Sequence, residues 1–144
     1  MSVRDIDNPG VIHRRGDDVE IVHGPHAGGG AIEIEWYFRD SSTLPAVLAI
    51  WTIEPGAAEG IHAHGQPSPL EEIYVVIDGE VEAFLDSNRI SLRRGDALRA
   101  SPGTCHGVVN SSTEIAKILL LAGTPDLQAR QRLKTIDPEC ESGS

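Results

Sequence analysis

From Ala31 to Phe38 the chain alternates strictly, with Ile32, Ile34, Trp36 and Phe38 on one parity and Glu33, Glu35 and Tyr37 on the other. That period of two predicts a half-buried strand. Ala46 to Ile53, rich in β-favouring residues and closed by Pro55-Gly56, predicts a second. Glu72, Tyr74 and Val76 fall on one face of a third apolar run. Glu80 to Leu85 and Ile90 to Leu92 flank Asp86-Ser87-Asn88 as a hairpin. Ala97 to Ala100 and the apolar segment Glu114 to Ala122 complete the set, and Glu20 to His23 suits a brief strand. Short strands separated by turns at regular intervals predict an all-β barrel or sandwich. Thr124-Pro125-Asp126 then reads as a helix start, with Thr124 as cap, ahead of a short C-terminal helix.

The ends are less patterned. Residues 1–30 read as an amino-terminal arm followed by a flexible loop, 31–136 as the barrel with its terminal helix, and 137–144 as a disordered tail. The loop HGPHAGGG holds His23 and His26 beside three consecutive glycines, which carry a large ordering cost. It is read as a solvated segment that could lie over a barrel mouth, with no further ligand cluster around it.

A chain of 144 residues suffices for one core without disulfides. Twelve basic against 22 acidic residues, a formal net charge of −10, argue against a nucleic-acid partner. The two cysteines, Cys105 and Cys140, indicate no disulfide framework. The opening MSVRDIDNPG lacks the apolar run of a signal peptide, and no apolar stretch approaches the roughly 20 residues that span a bilayer. A soluble, cytoplasmic protein with no membrane partner is expected. There is no phosphate-binding loop, dinucleotide fingerprint or nucleophile elbow.

What chemistry remains lies between Gly56 and Gly79, GAAEGIHAHGQPSPLEEIYVVIDG. On a strand, His62 and His64 leave the same face roughly 7 Å apart, so both can approach one ion. On a helix they would diverge by about 200°. Glu72 follows, and His106 lies downstream in GTCHGVVN. Three imidazoles and a carboxylate suit Fe(II), Mn(II), Ni(II), Cu(II) or Zn(II) rather than calcium. Glu71 competes with Glu72 as the carboxylate, but strand parity sends the two to opposite faces.

These residues resemble the cupin superfamily. Gly56, His62, His64, Glu72 and Gly79 follow its first motif, except that Gly65 to Glu71 lengthen the interval before the glutamate. Gly95, Gly103, His106 and Asn110 follow the second, with Ser101 in place of the usual proline. The resemblance covers roughly Pro45 to Gly123. It implies a cupin-type jelly-roll β-barrel holding one divalent transition metal on His62, His64, Glu72 and His106, with the proline-bearing insertion as an ordered loop near the metal mouth.

Fe(II) heads the candidate metals, and the first expectation is a mononuclear non-haem iron oxygenase, dioxygenase-like, acting on a small organic molecule. A redox-neutral isomerase or cyclase, including a polyketide-type cyclase, and a non-catalytic small-molecule-binding barrel are the alternatives. Glu72 could act as ligand or base. Tyr74, on the same strand face, could donate a hydrogen bond to substrate, and an inward Arg99 could recognise a carboxylate or phosphate. Trp51 either lines the cavity or fills the core. An exposed amino-terminal strand could pair across a two-fold axis, giving a homodimer.

Overall fold

The computed structural model describes residues 10–65 and 68–133. The tail expected over 137–144, residues 1–9 of the arm, and Gln66 and Pro67 of the insertion lie outside them.

Ten strands form in the order β1 (Val19–His23), β2 (Ala31–Tyr37), β3 (Ala46–Ile53), β4 (Ala58–His62), β5 (Glu71–Asp78), β6 (Glu80–Leu85), β7 (Asn88–Arg93), β8 (Ala97–Ala100), β9 (His106–Val109) and β10 (Ala116–Gly123). They make two antiparallel sheets, a six-stranded one ordered β1-β2-β3-β10-β5-β8 and a four-stranded one ordered β4-β9-β6-β7. No pairing joins the sheets among the described residues, so the expected closed barrel is instead a two-sheet jelly roll. What holds the sheets together is side-chain packing between their inward faces rather than strand pairing.

Alternation decides what lies between the sheets. Ile32 and Ile34 of β2, Ala49, Trp51 and Ile53 of β3, Tyr74 and Val76 of β5, and Ile118 and Leu120 of β10 are buried, packing against Val81 and Ala83 of β6 and Val108 of β9. Register aligns them in rows: Ile118 opposes Trp51 on one side and Val76 on the other. Within the six-stranded sheet the row of Ala122, Glu72 and Ala100 lies nearest the rim of β5 that bears the metal-site carboxylate.

Three local departures matter. Strand β2 ends at Tyr37, because Phe38 turns to φ 55 and lies half out of the core. The β6–β7 hairpin closes on two residues, since Leu85 pairs with Asn88. Its Asp86 takes φ 53, as tight hairpin turns require. After β10 comes one two-turn segment, α1 (Leu127–Leu133). Its first turn is capped by Asp126, whose Oδ1 accepts from Gln128 N at 3.0 Å, rather than by Thr124. Among the described residues, no helix is long and apolar enough to cross a membrane.

Candidate metal centre

Strand β4 brings the first ligands into the jelly roll, and it does so through an irregularity. Ala58 pairs with Val109 and Glu59 with Val108, but the next pair is His62 with His106. Three steps on β4 therefore match two on β9, a β-bulge at Gly60-Ile61. In a regular strand Glu59 and His62 would face opposite sides. With the bulge both point inward, leaving Ile61 exposed. Beyond β4 the chain leaves the strand, so His64 reaches the site from irregular backbone, anchored by Gly103 N donating to its carbonyl at 3.0 Å. Ser68 N to Gly65 O and Leu70 N to His64 O tie the described part of the insertion to the same segment.

His62, His64, Glu72 and His106 converge, with one donor atom from each lying within 4.8 Å of the others. His62 Nδ1 faces Gly60 O at 2.9 Å and His106 Nδ1 faces Thr104 O at 2.8 Å. A carbonyl can only accept, so each Nδ1 carries hydrogen and each Nε2 is directed into the site. The Nε2 atoms of His62 and His64 are buried without a hydrogen-bond partner among the described residues. His106 Nε2 meets Glu72 Oε2 at 2.5 Å, a short contact between a ring nitrogen and a carboxylate oxygen. Glu72 Oε1 lies 3.4 Å from His64 Nε2, and Oε2 3.8 Å from His62 Nε2. Ligand bonds of about 2.1 Å would draw such donors onto one ion after small side-chain rotations. Buried, lone-pair-bearing nitrogens around one carboxylate fit a divalent transition metal. The same nitrogens without an ion would be costly orphans.

A second carboxylate adjoins this set. Glu59 is only 3% exposed, and its Oε2 lies 3.8 Å from His62 Nε2. The hydroxyl of Tyr74, itself fully buried, lies 2.6 Å from Glu72 Oε2 and 3.1 Å from Glu59 Oε1. Burial, reinforced by the negative charge of Glu72, pushes the Glu59 carboxyl up to about 8 against the weaker pull of Tyr74 and His106. Glu72 goes the other way. Burial would raise it, but hydrogen bonds from His106 and Tyr74 and the nearby imidazoles hold it at about 2. Burial and the two carboxylates raise the Tyr74 phenol, which stays protonated. Two carboxyl groups of opposite protonation thus share one tyrosine.

Of the residues singled out in the sequence, His62, His64, Glu72, His106 and Tyr74 come together here. Glu71 and Arg99 do not: they pair with each other at 2.6 Å on the outer face of the six-stranded sheet, and the Arg99 side chain is 60% exposed. Trp51 meets the Tyr74 ring edge-on at 6.0 Å, and its buried Nε1 lacks a partner among the described residues. Asn110, from the second motif, joins strand ends through Ile53 O and Glu114 O rather than touching the donors.

Two site residues escape the sequence patterns. Glu59 has the wrong parity for the cavity until the bulge is known, and the neighbouring Gly60 is the one local sign of such a bulge. His26, assigned above to a solvated loop, stacks on His62 with ring centroids 3.7 Å apart and planes 8° apart.

Comparison with known proteins places these features in context. The family description "Cupin domain" matches residues 49–122. No curated protein matches the sequence. Among solved structures, a predicted oxalate decarboxylase from Thermotoga maritima superposes with a TM-score of 0.72 at 19% identity, covering 80% of this chain and 100% of that one. A Cupin 2 conserved barrel domain protein from Salinispora arenicola gives 0.63 at 19%, covering 89% and 98%. KdgF from a Halomonas species gives 0.62 at 21%, covering 83% and 97%. At these identities the likeness is one of fold.

Proposed function

The chain belongs to the cupin domain family, and on that premise we propose that it is a metal-dependent enzyme catalysing redox-neutral proton transfer on a small, oxygen-rich molecule. The observation that carries this is the convergence of His62, His64, Glu72 and His106, with unpartnered nitrogens directed at a common point. A divalent transition ion held there would supply Lewis acidity toward a carbonyl or hydroxyl oxygen.

The chain's own residues supply the rest. Glu59 is placed beside the donor set without belonging to its four-residue group, which suits a carboxyl that gives or takes a proton. Tyr74 links it to Glu72 and holds both carboxyls in place. An environment that drives two neighbouring carboxyls to opposite protonation states is the usual basis for dividing acid from base roles. Isomerisation, cyclisation and elimination all need such a pair.

The iron oxygenase expected from the sequence remains the second reading. Its support is the donor set itself, since four ligands leave about two positions of an octahedral ion open. One experiment separates the readings. The protein is loaded with Zn(II), Mn(II) or Fe(II) and incubated in D2O under argon with a panel of hydroxy-carbonyl and hydroxy-acid compounds, and carbon-bound hydrogen is followed by NMR. Exchange or rearrangement without oxygen, lost in Glu59→Gln, is the expected result. No anaerobic change, but oxygen uptake with Fe(II), assigns the oxygenase. Binding with neither leaves a small-molecule-binding barrel.

A further inference from the structure

The segment Gly24 to Gly30 is built against the metal centre at the level of the backbone. Ala58 N donates to Gly29 O and Gly24 N to Gly30 O, both at 2.8 Å. A Cβ on Gly60 would sit 1.7 Å from the carbonyl oxygen of His26, and one on Gly28 would sit 2.0 Å from that of Ala58. Only glycine permits this approach. Within the short 3-10 turn Pro25–Ala27, His26 and Ala27 take left-handed φ values of 51 and 62. Side-chain-bearing residues adopt that conformation at a cost, and such strain persists where the surroundings impose it. What it places is the His26 ring, parallel to His62 at 3.7 Å and edge-on to His64 at 5.9 Å.

Donor atoms of His26, Glu59 and His62 lie within 4.8 Å of one another, which suggests ligation at first sight. The stacking argues otherwise. An imidazole lone pair lies in its ring plane, and two rings stacked face to face, with centroids 3.7 Å apart and planes 8° from parallel, do not direct their lone pairs at one nearby ion. The Nδ1 of His62 is already committed to Gly60 O, so its remaining nitrogen serves the inner donor set. That in-plane hydrogen bond fixes where one edge of the ring points. A flat partner on the ring face fixes the remaining freedom, the tilt of the plane.

We propose that His26 is a positioning residue of the metal centre, acting through the face of its ring to hold His62 in ligating orientation, and that the glycine-locked loop serves to present it. This rests on the reading that His62, His64, Glu72 and His106 bind a metal.

The test uses the full chain, zinc alone as the probe, and competition against a chromophoric chelator. The visible spectrum of the cobalt-loaded protein reports ligand geometry. His26→Ala lowers zinc affinity about tenfold or more, the range found when groups supporting a ligand are removed, and alters the cobalt bands. His26→Phe, which keeps a flat ring and loses both nitrogens, returns affinity and spectrum close to wild type. Urea midpoints of the metal-free variants confirm that both fold. If His26→Ala binds zinc as wild type does, or if His26→Phe fails as badly as alanine, the proposal is overturned; the latter result would make a nitrogen of His26 the active group. Wild-type protein that binds no zinc or cobalt overturns the metal reading and this proposal with it.

Discussion

The most consequential single residue outside the ligand set is Glu59, because it carries a pH dependence of known sign. In the folded chain its carboxyl holds a proton up to about 8, whereas its ordinary value is 4.5. Between those values the folded state binds more protons than the unfolded state, so stability contributed by the protonated group is full below 4.5 and is lost as pH rises toward 8. His106, raised mainly by its hydrogen bond to Glu72 against the effect of burial, acts with the same sign. His62 and His26, lowered first by burial, act with the opposite one. Glu72 loses its contribution only as pH falls toward 2. The difference between wild type and Glu59→Gln isolates Glu59 from these neighbours. Urea titrations of metal-free protein from about pH 5 to pH 8 are expected to show a decline in wild type that is shallower in the variant. Equal slopes would show that Glu59 is not held neutral.

Asn110 is the structural counterpart. It is fully buried, donates to Ile53 O at 2.9 Å and Glu114 O at 2.7 Å, and accepts from the backbone and hydroxyl of Ser112. Asn110→Ala strands a buried carbonyl and is expected to cost about 2 kcal/mol in chemical denaturation, with zinc affinity unchanged. A loss of affinity at unchanged stability would move Asn110 into the site. At this scale the sequence is legible wherever parity governs. Glu72 faces the cavity and Glu71 faces out because they are neighbours on one strand. Arg99 shows the limit. Its strand is correctly placed, but the face it occupies belongs to Glu71.

Among the elements, β4 is short and irregular, yet it sets the site. The bulge at Gly60-Ile61 lets one strand aim both Glu59 and His62 inward, and Gly60 also admits the His26 loop. Gly60→Ala therefore strikes two features at once. It is expected to release residues 24–30, seen as faster amide exchange there, while protection in β3 and β10 persists. Uniform protection everywhere would show that the loop is held by something other than this contact. The strands β3, β6 and β8 occupy the ranges expected from alternation and turn residues, since period and punctuation are local properties. The bulge is not local, because it exists only relative to β9.

For the whole molecule, a bound ion is also a stabilising ligand. Free metal at about one hundred times its dissociation constant adds about 2.7 kcal/mol, which raises Tm by roughly 8 °C for a chain of this size. A rise reversed by chelator, and absent in His62→Ala/His64→Ala, is expected in differential scanning calorimetry. No rise in wild type would count against a metal centre. The larger sheet also ends in an edge. Among the described residues β1 pairs only with β2, and its Val19 and Ile21 are exposed. Two chains joined along that edge would scatter light as about twice 15.5 kDa. A species of 15.5 kDa alone removes that arrangement.

The amino-acid sequence by itself determined the all-β class, set Glu72 and Tyr74 on one face of a strand, and picked out His62, His64, Glu72 and His106 as a group that could hold a metal. Backbone stereochemistry alternates side chains residue by residue, and ligand chemistry belongs to residue type. The motif glycines were equally readable, and Gly56, Gly79, Gly95 and Gly103 all take the positive φ that their turns demand. Only the tertiary structure decided that no strand pairing joins the sheets among the described residues, that Glu59 turns inward, and that His26 lies on His62. Each of these depends on register or on backbone approach between segments distant in sequence. Alternation within one strand carries no information about either.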